Sequence, residues 1–247
     1  MLKIQDNAVF IADSHYTKER DTLLLLLKLI ESGSIKTSQI FFMGDIFDLL
    51  IPPVKYTVDI NRELIDVINR LSLVLEVFIF EGNHDFVLSS VFKNATVFSL
   101  FEQPVLFDVN GKTALLMHGD RFESFMYLAY SFLIRSVFSL TFLRVLLLDF
   151  ISPVFIKFVV AKLSKKIICD ENKNFDQLCR LRVSKLSKKF NFDYIVEGHF
   201  HQGKKYIYDN KIYINISSFA CNKSFFKVEF KQSDSVFFEQ QIGDIYV

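Results

Sequence analysis

Five short stretches of the sequence place His, Asp or Asn directly after an apolar run. They read FIADSH, FFMGDIFD, FIFEGNHD, LLMHGD and EGHFHQG, and together they contain all five histidines of the chain. In open α/β sheets, functional side chains gather at the carboxyl ends of the strands. The pattern therefore predicts one site that brings together Asp13, His15, Asp45, Asn83, His84, Asp85, His118, His199 and His201.

The side chains of these stretches offer imidazole, carboxylate and one amide oxygen, without a thiolate. This mixture suits divalent Mn, Fe or Zn rather than a structural zinc site built from cysteines. The donors are too many for one ion and fit two ions, about 3.5–4 Å apart, that share one carboxylate and act on a phosphoryl group. A lone DxH or GNHD occurs by chance, and a buried histidine is more often only hydrogen-bonded. The coincidence of five such motifs favours the metal site.

The elements that must position these residues alternate between strands and helices. Helices are predicted at 18–32 and 58–71. Strands are predicted at 8–12, 40–43, 75–80, 113–117, 194–197, 205–208, 212–216 and 225–230. This alternation, followed by a β-rich end, indicates an α/β architecture that is α+β in part. The pair Asp209-Asn210 predicts a hairpin turn between two of the strands.

The composition excludes some classes of protein. Apolar residues make up 51% of the chain, which excludes disorder, and a net charge of +1 argues against a nucleic-acid partner. The three cysteines, Cys169, Cys179 and Cys221, show no CxxC spacing, so we expect reduced thiols in a cytosolic compartment. Uncharged runs stay well short of the roughly 18 apolar residues of a membrane-spanning helix, which predicts a soluble or peripheral protein.

Residues 125–161 form an unusually apolar segment that follows the HGD motif. Only four of these residues are charged, and in a helix Ser124, Ser131, Arg135 and Ser139 would form a narrow polar stripe. A break at 149–153 predicts a second helix at 153–166, and a basic stretch follows at 162–189. We expect the apolar hairpin to lie among acyl chains, with the basic residues at anionic headgroups. In the alternative, the helices cover the flank of the fold and the basic residues form a solvated face.

The ordered motifs DxH, GDxxD, GNHD, HGD and GHxH, between residues 13 and 201, resemble those of the calcineurin-like metallophosphoesterases. The resemblance implies a two-sheet β-sandwich flanked by helices, as a single domain over 1–247 with a helical lid insertion at about 121–168. It implies two divalent metal ions, Mn²⁺ in preference to Fe or Zn. Asp13, His15 and His201 would hold one ion, Asp45 would bridge, and Asn83, His118 and His199 would complete the second.

The same resemblance implies roles for the remaining polar residues. His84 would face the phosphate as a catalytic residue, and Asp85 would orient His84. Asn83, His84 and Arg135 are the candidate substrate-binding residues. Asp48 and Asp120 remain open between orienting a ligand and acting as turn or cap residues.

Within this family, the insertion after HGD resembles that of the UDP-2,3-diacylglucosamine pyrophosphatases of lipid A biosynthesis. This resemblance implies a lipid-linked nucleotide substrate, cleaved to UMP and 2,3-diacylglucosamine 1-phosphate at the inner face of the cytoplasmic membrane by a peripheral protein. Two positions depart from that pattern: His84 stands where Arg is usual, and Gln202-Gly203 stands where a Pro commonly follows. The alternatives are a soluble phosphoesterase for nucleotides, phosphodiesters or phosphoproteins, and a non-catalytic scaffold on the same fold.

Overall fold

The computed structural model describes residues 1–122, 124–136, 158, 162, 169–230 and 235–241. In this part of the chain there are twelve strands: β1 Leu2–Ile4, β2 Val9–Ile11, β3 Gln39–Phe42, β4 Glu76–Phe80, β5 Thr96–Phe98, β6 Val105–Val109, β7 Lys112–Met117, β8 Tyr194–Glu197, β9 Lys205–Tyr208, β10 Lys211–Asn215, β11 Ser224–Phe230 and β12 Ser235–Gln241. They form two six-stranded mixed sheets. The first has the order β12-β11-β2-β3-β4-β5, and the second has the order β1-β6-β7-β8-β10-β9.

Helices flank both sheets. The described helices are α1 Thr22–Glu31, α2 Lys55–Ile60, α3 Arg62–Leu71, α4 Phe125–Arg135, α5 Phe175–Ser187 and α6 Phe219–Asn222. Apolar residues of α1 and α3 pack with the outer face of the first sheet, and those of α5 pack with the outer face of the second. The predicted α/β class and the helix-flanked two-sheet architecture are confirmed.

Phenylalanines fill the space between the two sheets. The ring of Phe41 on β3 stacks on Phe10 at 4.3 Å and on Phe78 at 4.7 Å, and it meets Phe107 of the second sheet edge-on at 5.4 Å. Burying such rings is a large part of what stabilises a sandwich core. The phenylalanine-rich composition therefore serves the contact between the sheets, which holds their strand ends in fixed register.

The direction of the strands brings the five motifs to one edge. In the first sheet β2, β3, β4 and β5 run parallel, and in the second β7, β8 and β10 run parallel. The motif residues follow the carboxyl ends of β2, β3, β4, β7 and β8. Each of the eight predicted strands lies within one residue of an observed strand at both ends.

The two predicted helices before residue 75 differ from the observed ones. The helix predicted at 18–32 begins only at Thr22, because the chain first turns at Thr17–Arg20 and the Arg20 side chain donates to the carbonyl of His15. The helix predicted at 58–71 lies within α2 and α3, which are separated at Asn61. The side chain of Asn61 donates to the carbonyls of Leu49 and Thr57. The predicted hairpin is present, with positive φ at both Asp209 and Asn210.

The expectation that all cysteines are reduced is wrong for two of the three. Cys169 and Cys221 form a disulfide, with Cα atoms 5.7 Å apart and a sequence separation of 52, while Cys179 is a buried free thiol. This pairing depends on the tertiary fold and has no signature in the spacing. Apart from residues 158 and 162, the helix predicted at 153–166 lies outside the described residues. None of the helices that the structure describes has the length and apolar character needed to cross a membrane.

Candidate active site

The motif residues converge where the strand ends of the two sheets meet. Three sets of potential metal ligands have donor atoms within 4.8 Å of one another. They comprise Asp13, His15 and His201; Asp45, His118 and His199; and His15, Asp45 and His84. Six of the seven predicted metal ligands thus lie in these sets, and the donor oxygen of the seventh, Asn83, is buried in the loop that precedes His84.

Asp45 lies between the two histidine groups. His118 Nε2 is 3.6 Å from Asp45 Oδ2, and the backbone N–H of His84 donates to Asp45 Oδ1 at 2.9 Å. On the other side of the site, His201 Nε2 is 3.1 Å from Asp13 Oδ1. A carboxylate that belongs to two of the three sets has the position that a bridging ligand requires.

Several buried donor atoms of the site have no hydrogen-bond partner among the described residues. They include His15 Nδ1, Asn83 Oδ1 and His118 Nε2. Buried polar atoms are normally paired, so an unpaired group of this kind calls for an explanation. These atoms belong to predicted ligands, and nitrogen with carboxylate and amide oxygen is a donor set for Mn, Fe or Zn. The residues present therefore fit divalent metal ions.

The electrostatics of the site favour the metal-binding forms of Asp45 and His15 but the protonated form of His118. Although burial alone would raise it, the imidazoles of His118, His84 and His15 hold the pKa of Asp45 below its usual range. Burial lowers the pKa of His15 to about 4, so this histidine is neutral at neutral pH. Against the effect of burial, carboxylates led by Asp45 raise the pKa of His118 to about 9. Metal binding at His118 must therefore displace a proton.

The backbone around the ligands is held in conformations that few residues adopt. Asp13, His15, Asp45, His199 and His201 all have positive φ angles, between 41° and 62°. Non-glycine residues in this region carry strain and concentrate at functional sites. Gly44 and Gly82 allow the close approach of the loops, since a Cβ on Gly44 would overlap the His118 ring and one on Gly82 would overlap Asp45 Oδ1.

The contacts of the Asp85 carboxylate are with the backbone of two loops and not with the ring of His84. Both oxygens of its buried carboxylate accept backbone N–H groups, from Asp45, Ile46 and Phe47 after β3 and from Gly82 after β4. Asp85 therefore holds the Asp45 loop and does not bond to the His84 ring. The carbonyl of Asp48 accepts from His84 Nδ1 at 2.8 Å instead.

Asp48 and Asp120 both make specific contacts near the site. The Asp48 carboxylate pairs with Arg20 and lies 3.7 Å from His15 Nδ1, so it supports the first group of ligands. Asp120, of the HGD motif, is fully buried and accepts from the Tyr127 hydroxyl at 2.6 Å. The latter bond attaches α4 to the loop of His118.

Arg135, at the end of α4, contacts the GNHD loop. Its guanidinium donates to the carbonyl of Gly82 at 2.7 Å and lies over the Phe86 ring at 4.6 Å. Its Nε has no hydrogen-bond partner in the described part of the chain. The structure thus brings Arg135 to the edge of the site, against the residue that precedes Asn83.

Three residues that support the ligand loops were not predicted from the sequence. Asn215 accepts from the N–H of Gln202 and donates to the carbonyls of Glu197 and Gly198, which fixes the GHFH turn. Ser218 donates to the carbonyl of Asp13, and Gln103 accepts from the N–H of His118. Asn215 is the last residue of β10 and Ser218 follows that strand, which was a usable signal.

The departure from proline after the last motif has a local cause. Gly203 has a φ of 59°, whereas the ring of proline fixes φ near −65°. Gln202 uses its side chain to contact the segment that follows the insertion, where it accepts from the N–H of Asn172 and donates to the carbonyl of Asp170. The turn of His201 is therefore attached to the end of the inserted segment.

Comparison with known proteins agrees with this geometry. The profile of the family described as calcineurin-like phosphoesterase matches residues 7–203. A UDP-2,3-diacylglucosamine hydrolase from Coxiella burnetii is 30% identical over 115 residues, 46% of this chain and 47% of that protein, so the match spans about half of its length. A protein of the same name from Vibrio atlanticus is 25% identical over 224 residues, 86% of this chain and 83% of its own.

Among solved structures, an archaeal phosphodiesterase covers 95% of this chain and 99% of its own with a TM-score of 0.47 and 8% identity. The family match extends over most of the chain and includes every motif residue that the strand ends bring together. The chain therefore belongs to the calcineurin-like phosphoesterase family, which indicates a hydrolase.

Proposed function

We propose that this protein hydrolyses the pyrophosphate bond of UDP-2,3-diacylglucosamine, giving UMP and 2,3-diacylglucosamine 1-phosphate, with two divalent metal ions, preferentially Mn²⁺. The observation that carries the proposal is α4, which has a polar side against the metal-ligand loops and an apolar side in solvent. The names of the Coxiella and Vibrio relatives support the choice of substrate.

The inner side of α4 contacts two of the motif loops. Tyr127 bonds to Asp120 beside His118, and Arg135 bonds to Gly82 beside Asn83. Ser131, one helical turn from each, is also buried. Ser131 and Arg135 belong to the predicted polar stripe, so this part of the stripe faces the site.

The outer side of α4 exposes large apolar side chains. Met126 is 75% exposed, Phe132 is 66% exposed and Leu133 is 61% exposed, and the Phe132 ring meets that of Phe101 at 5.9 Å. Contiguous exposed apolar surface beside a site is typical of a surface that binds lipid or a partner. If an acyl chain of the substrate lay along this helix, the pyrophosphate of the same molecule would lie near the metal ligands.

Each group of ligands would have its own role. Asp13, His15 and His201 would hold one ion, Asn83, His118 and His199 would hold the other, and Asp45 would be shared by both. When bound, the ions would supply charge neutralisation at the phosphate and a water of lowered pKa. The His84 ring donates from Nδ1 to the Asp48 carbonyl, which leaves Nε2 to act on the phosphate of the substrate. Arg135 adds a positive charge next to Asn83, where a pyrophosphate would lie.

The insertion at about 121–168 acts as a lid over a single domain, and the protein binds peripherally to the inner face of the cytoplasmic membrane. The basic stretch at 162–189 would meet anionic headgroups, which adds about 1 kcal/mol per basic residue near the surface. No nucleic-acid partner is part of this proposal. A soluble phosphoesterase for nucleotides, phosphodiesters or phosphoproteins, or a non-catalytic scaffold, would have no use for an exposed apolar helix at the site.

The test compares a lipid substrate with a small one. The wild type, the double variant Met126→Glu/Phe132→Glu and the control Val74→Glu are assayed on UDP-2,3-diacylglucosamine in mixed micelles and on bis(p-nitrophenyl) phosphate. Val74 is 78% exposed and lies before β4, at the opposite end of the sheet. Because each buried CH₂ contributes about 0.8 kcal/mol, the double variant should lose roughly tenfold or more in kcat/KM on the lipid only.

Two results would contradict the proposal. A wild type that cleaves the small phosphodiester but not the lipid substrate would leave a phosphoesterase with another substrate. Equal losses on both substrates in the double variant, with the fold retained, would mean that α4 supports the metal site and not the lipid.

A further inference from the structure

An arginine is buried beneath the second group of metal ligands. Arg182 lies on α5, is 7% exposed and packs against the outer side of the second sheet. A buried guanidinium is costly unless its charge is paired and its N–H groups are bonded. The contacts of Arg182 therefore indicate its structural role.

Arg182 bonds to both loops that carry ligands of the second ion. Its Nη1 donates to the carbonyl of Gly119, the residue after His118, at 2.8 Å. The same nitrogen donates to Oε2 of Glu197, two residues before His199, at 3.0 Å. The guanidinium also lies over the ring of Phe200, the residue after His199, at 4.9 Å.

Glu197 is in turn fixed from its other side. Its carboxylate is fully buried, and its Oε1 accepts from the hydroxyl of Tyr213 on the neighbouring strand β10. The acidic side chain thus has a partner on each oxygen, one from α5 and one from the sheet. Side-chain networks that are satisfied in this way hold a single arrangement.

The two loops are in direct contact at the point that Arg182 bridges. Gly119 has a φ of 129°, and a Cβ at this position would lie 3.2 Å from the Cβ of His199 and 3.5 Å from Glu197 Oε2. The rings of His118 and His199 are 5.0 Å apart and nearly perpendicular. A shift of either loop would therefore change the distance between the two imidazoles.

We propose that Arg182, with Glu197 and Tyr213, is a positioning group that sets the separation of His118 and His199 and so determines the affinity for the second metal ion. The proposal rests on the two-ion site of the proposed function. It concerns the second ion, because the hydrogen bonds of Arg182 run to Gly119, the residue after His118, and to Glu197, two residues before His199. Selectivity between the two ions is what distinguishes positioning from general support of the core.

The test is metal binding by Arg182→Met, with Arg180→Met as the matched control. Arg180 lies on the same helix, is exposed, and stacks on Tyr208 away from the ligand loops. Manganese content, the dissociation constant of each site by calorimetry and the electron paramagnetic resonance spectrum are measured, with circular dichroism to verify folding. Outer partners of ligands typically change metal affinity by about 10–100-fold.

Arg182→Met should bind the second ion about 10–100-fold more weakly, and the spectrum of a coupled ion pair should give way to that of a single ion. Arg180→Met should keep both ions. Arg182→Lys should recover part of the affinity, since an ammonium can pair with Glu197 but does not reproduce the bond to Gly119. Tyr213→Phe removes one hydroxyl and should weaken the second ion about two- to tenfold. If Arg182→Met does not fold, the affinity of Tyr213→Phe for the second ion tests the proposal in its place.

Three results would overturn the proposal. These are wild-type affinity for both ions in folded Arg182→Met, equal weakening of the two ions in that variant, and unchanged second-ion affinity in Tyr213→Phe. A wild type that binds no metal would instead contradict the proposed function. Failure of the proposed function is therefore distinguishable from failure of the positioning role of Arg182.

Discussion

Replacing His84 by alanine separates a residue that acts on the phosphate from one that holds metal. The imidazole makes one hydrogen bond, from Nδ1 to the carbonyl of Asp48. Because a carbonyl oxygen only accepts, Nδ1 carries the hydrogen and Nε2 is left for the substrate. The bond to the bridging carboxylate comes from the His84 backbone N–H, which alanine retains. His84→Ala should therefore leave Asp45 in place.

The expected size of the effect follows from these contacts. Loss of one hydrogen bond should lower the free energy of unfolding by about 1 kcal/mol. Loss of a positioned acid or charge stabiliser should lower kcat by about 10²–10⁴-fold, equivalent to about 2.7–5.4 kcal/mol. Turnover of bis(p-nitrophenyl) phosphate and manganese content are measured on the same preparation. His84→Asn, which can keep a bond to the Asp48 carbonyl, serves as the control and should be equally slow.

Two outcomes would refute this reasoning. His84 also belongs to a set with His15 and Asp45 whose donor atoms lie within 4.8 Å of one another. If His84→Ala loses one ion, the residue is a metal ligand. If kcat falls by less than about threefold with both ions bound, His84 has no part in the chemistry.

Three further predictions concern the bridge, the buried acid and the disulfide. Asp45→Ala should lose both ions and nearly all activity, more than any other single ligand change, as measured by metal analysis and turnover; retention of two ions would exclude a bridging role. Burial raises the pKa of Glu81 from 4.5 to about 7. The stability that its neutral form contributes is therefore fully present below pH 4.5 and is lost as the pH rises through 7. Glu81→Gln in chelator should therefore raise the free energy of unfolding at pH 8 by about 1–3 kcal/mol and flatten its pH dependence; an unchanged profile contradicts the shift. Thiol titration of the denatured, unreduced protein should find one free cysteine, and three after reduction, whereas three before reduction would contradict the Cys169–Cys221 bond.

The strands and the site loops could be predicted because their signals are local. A short apolar run marks a strand without knowledge of its neighbours, and all eight strands predicted in this way are present. The strands β1, β5, β6 and β12 were not predicted. The first three are runs of three to five residues, such as Thr96–Phe98, that carry too little periodicity.

The supporting contacts could not be predicted because they join distant parts of the chain. Asp85 accepts hydrogen bonds from backbone groups 38 to 40 residues away, whereas the family resemblance implied that it orients the adjacent His84. Arg182 was counted within a basic stretch, yet it is buried against Gly119, 63 residues away. Charge patterns in sequence do not distinguish a solvated arginine from one whose partners come from another loop.

The measurement that tests the central claim most directly is the metal content of the purified, active wild-type protein. The account predicts about two divalent ions per chain, most of them Mn²⁺, and activity that is abolished by a chelator and restored by Mn²⁺. The residues that would hold these ions are Asp13, His15, Asp45, Asn83, His118, His199 and His201. An active preparation with no ion, or with one tightly bound ion per chain, would contradict the account.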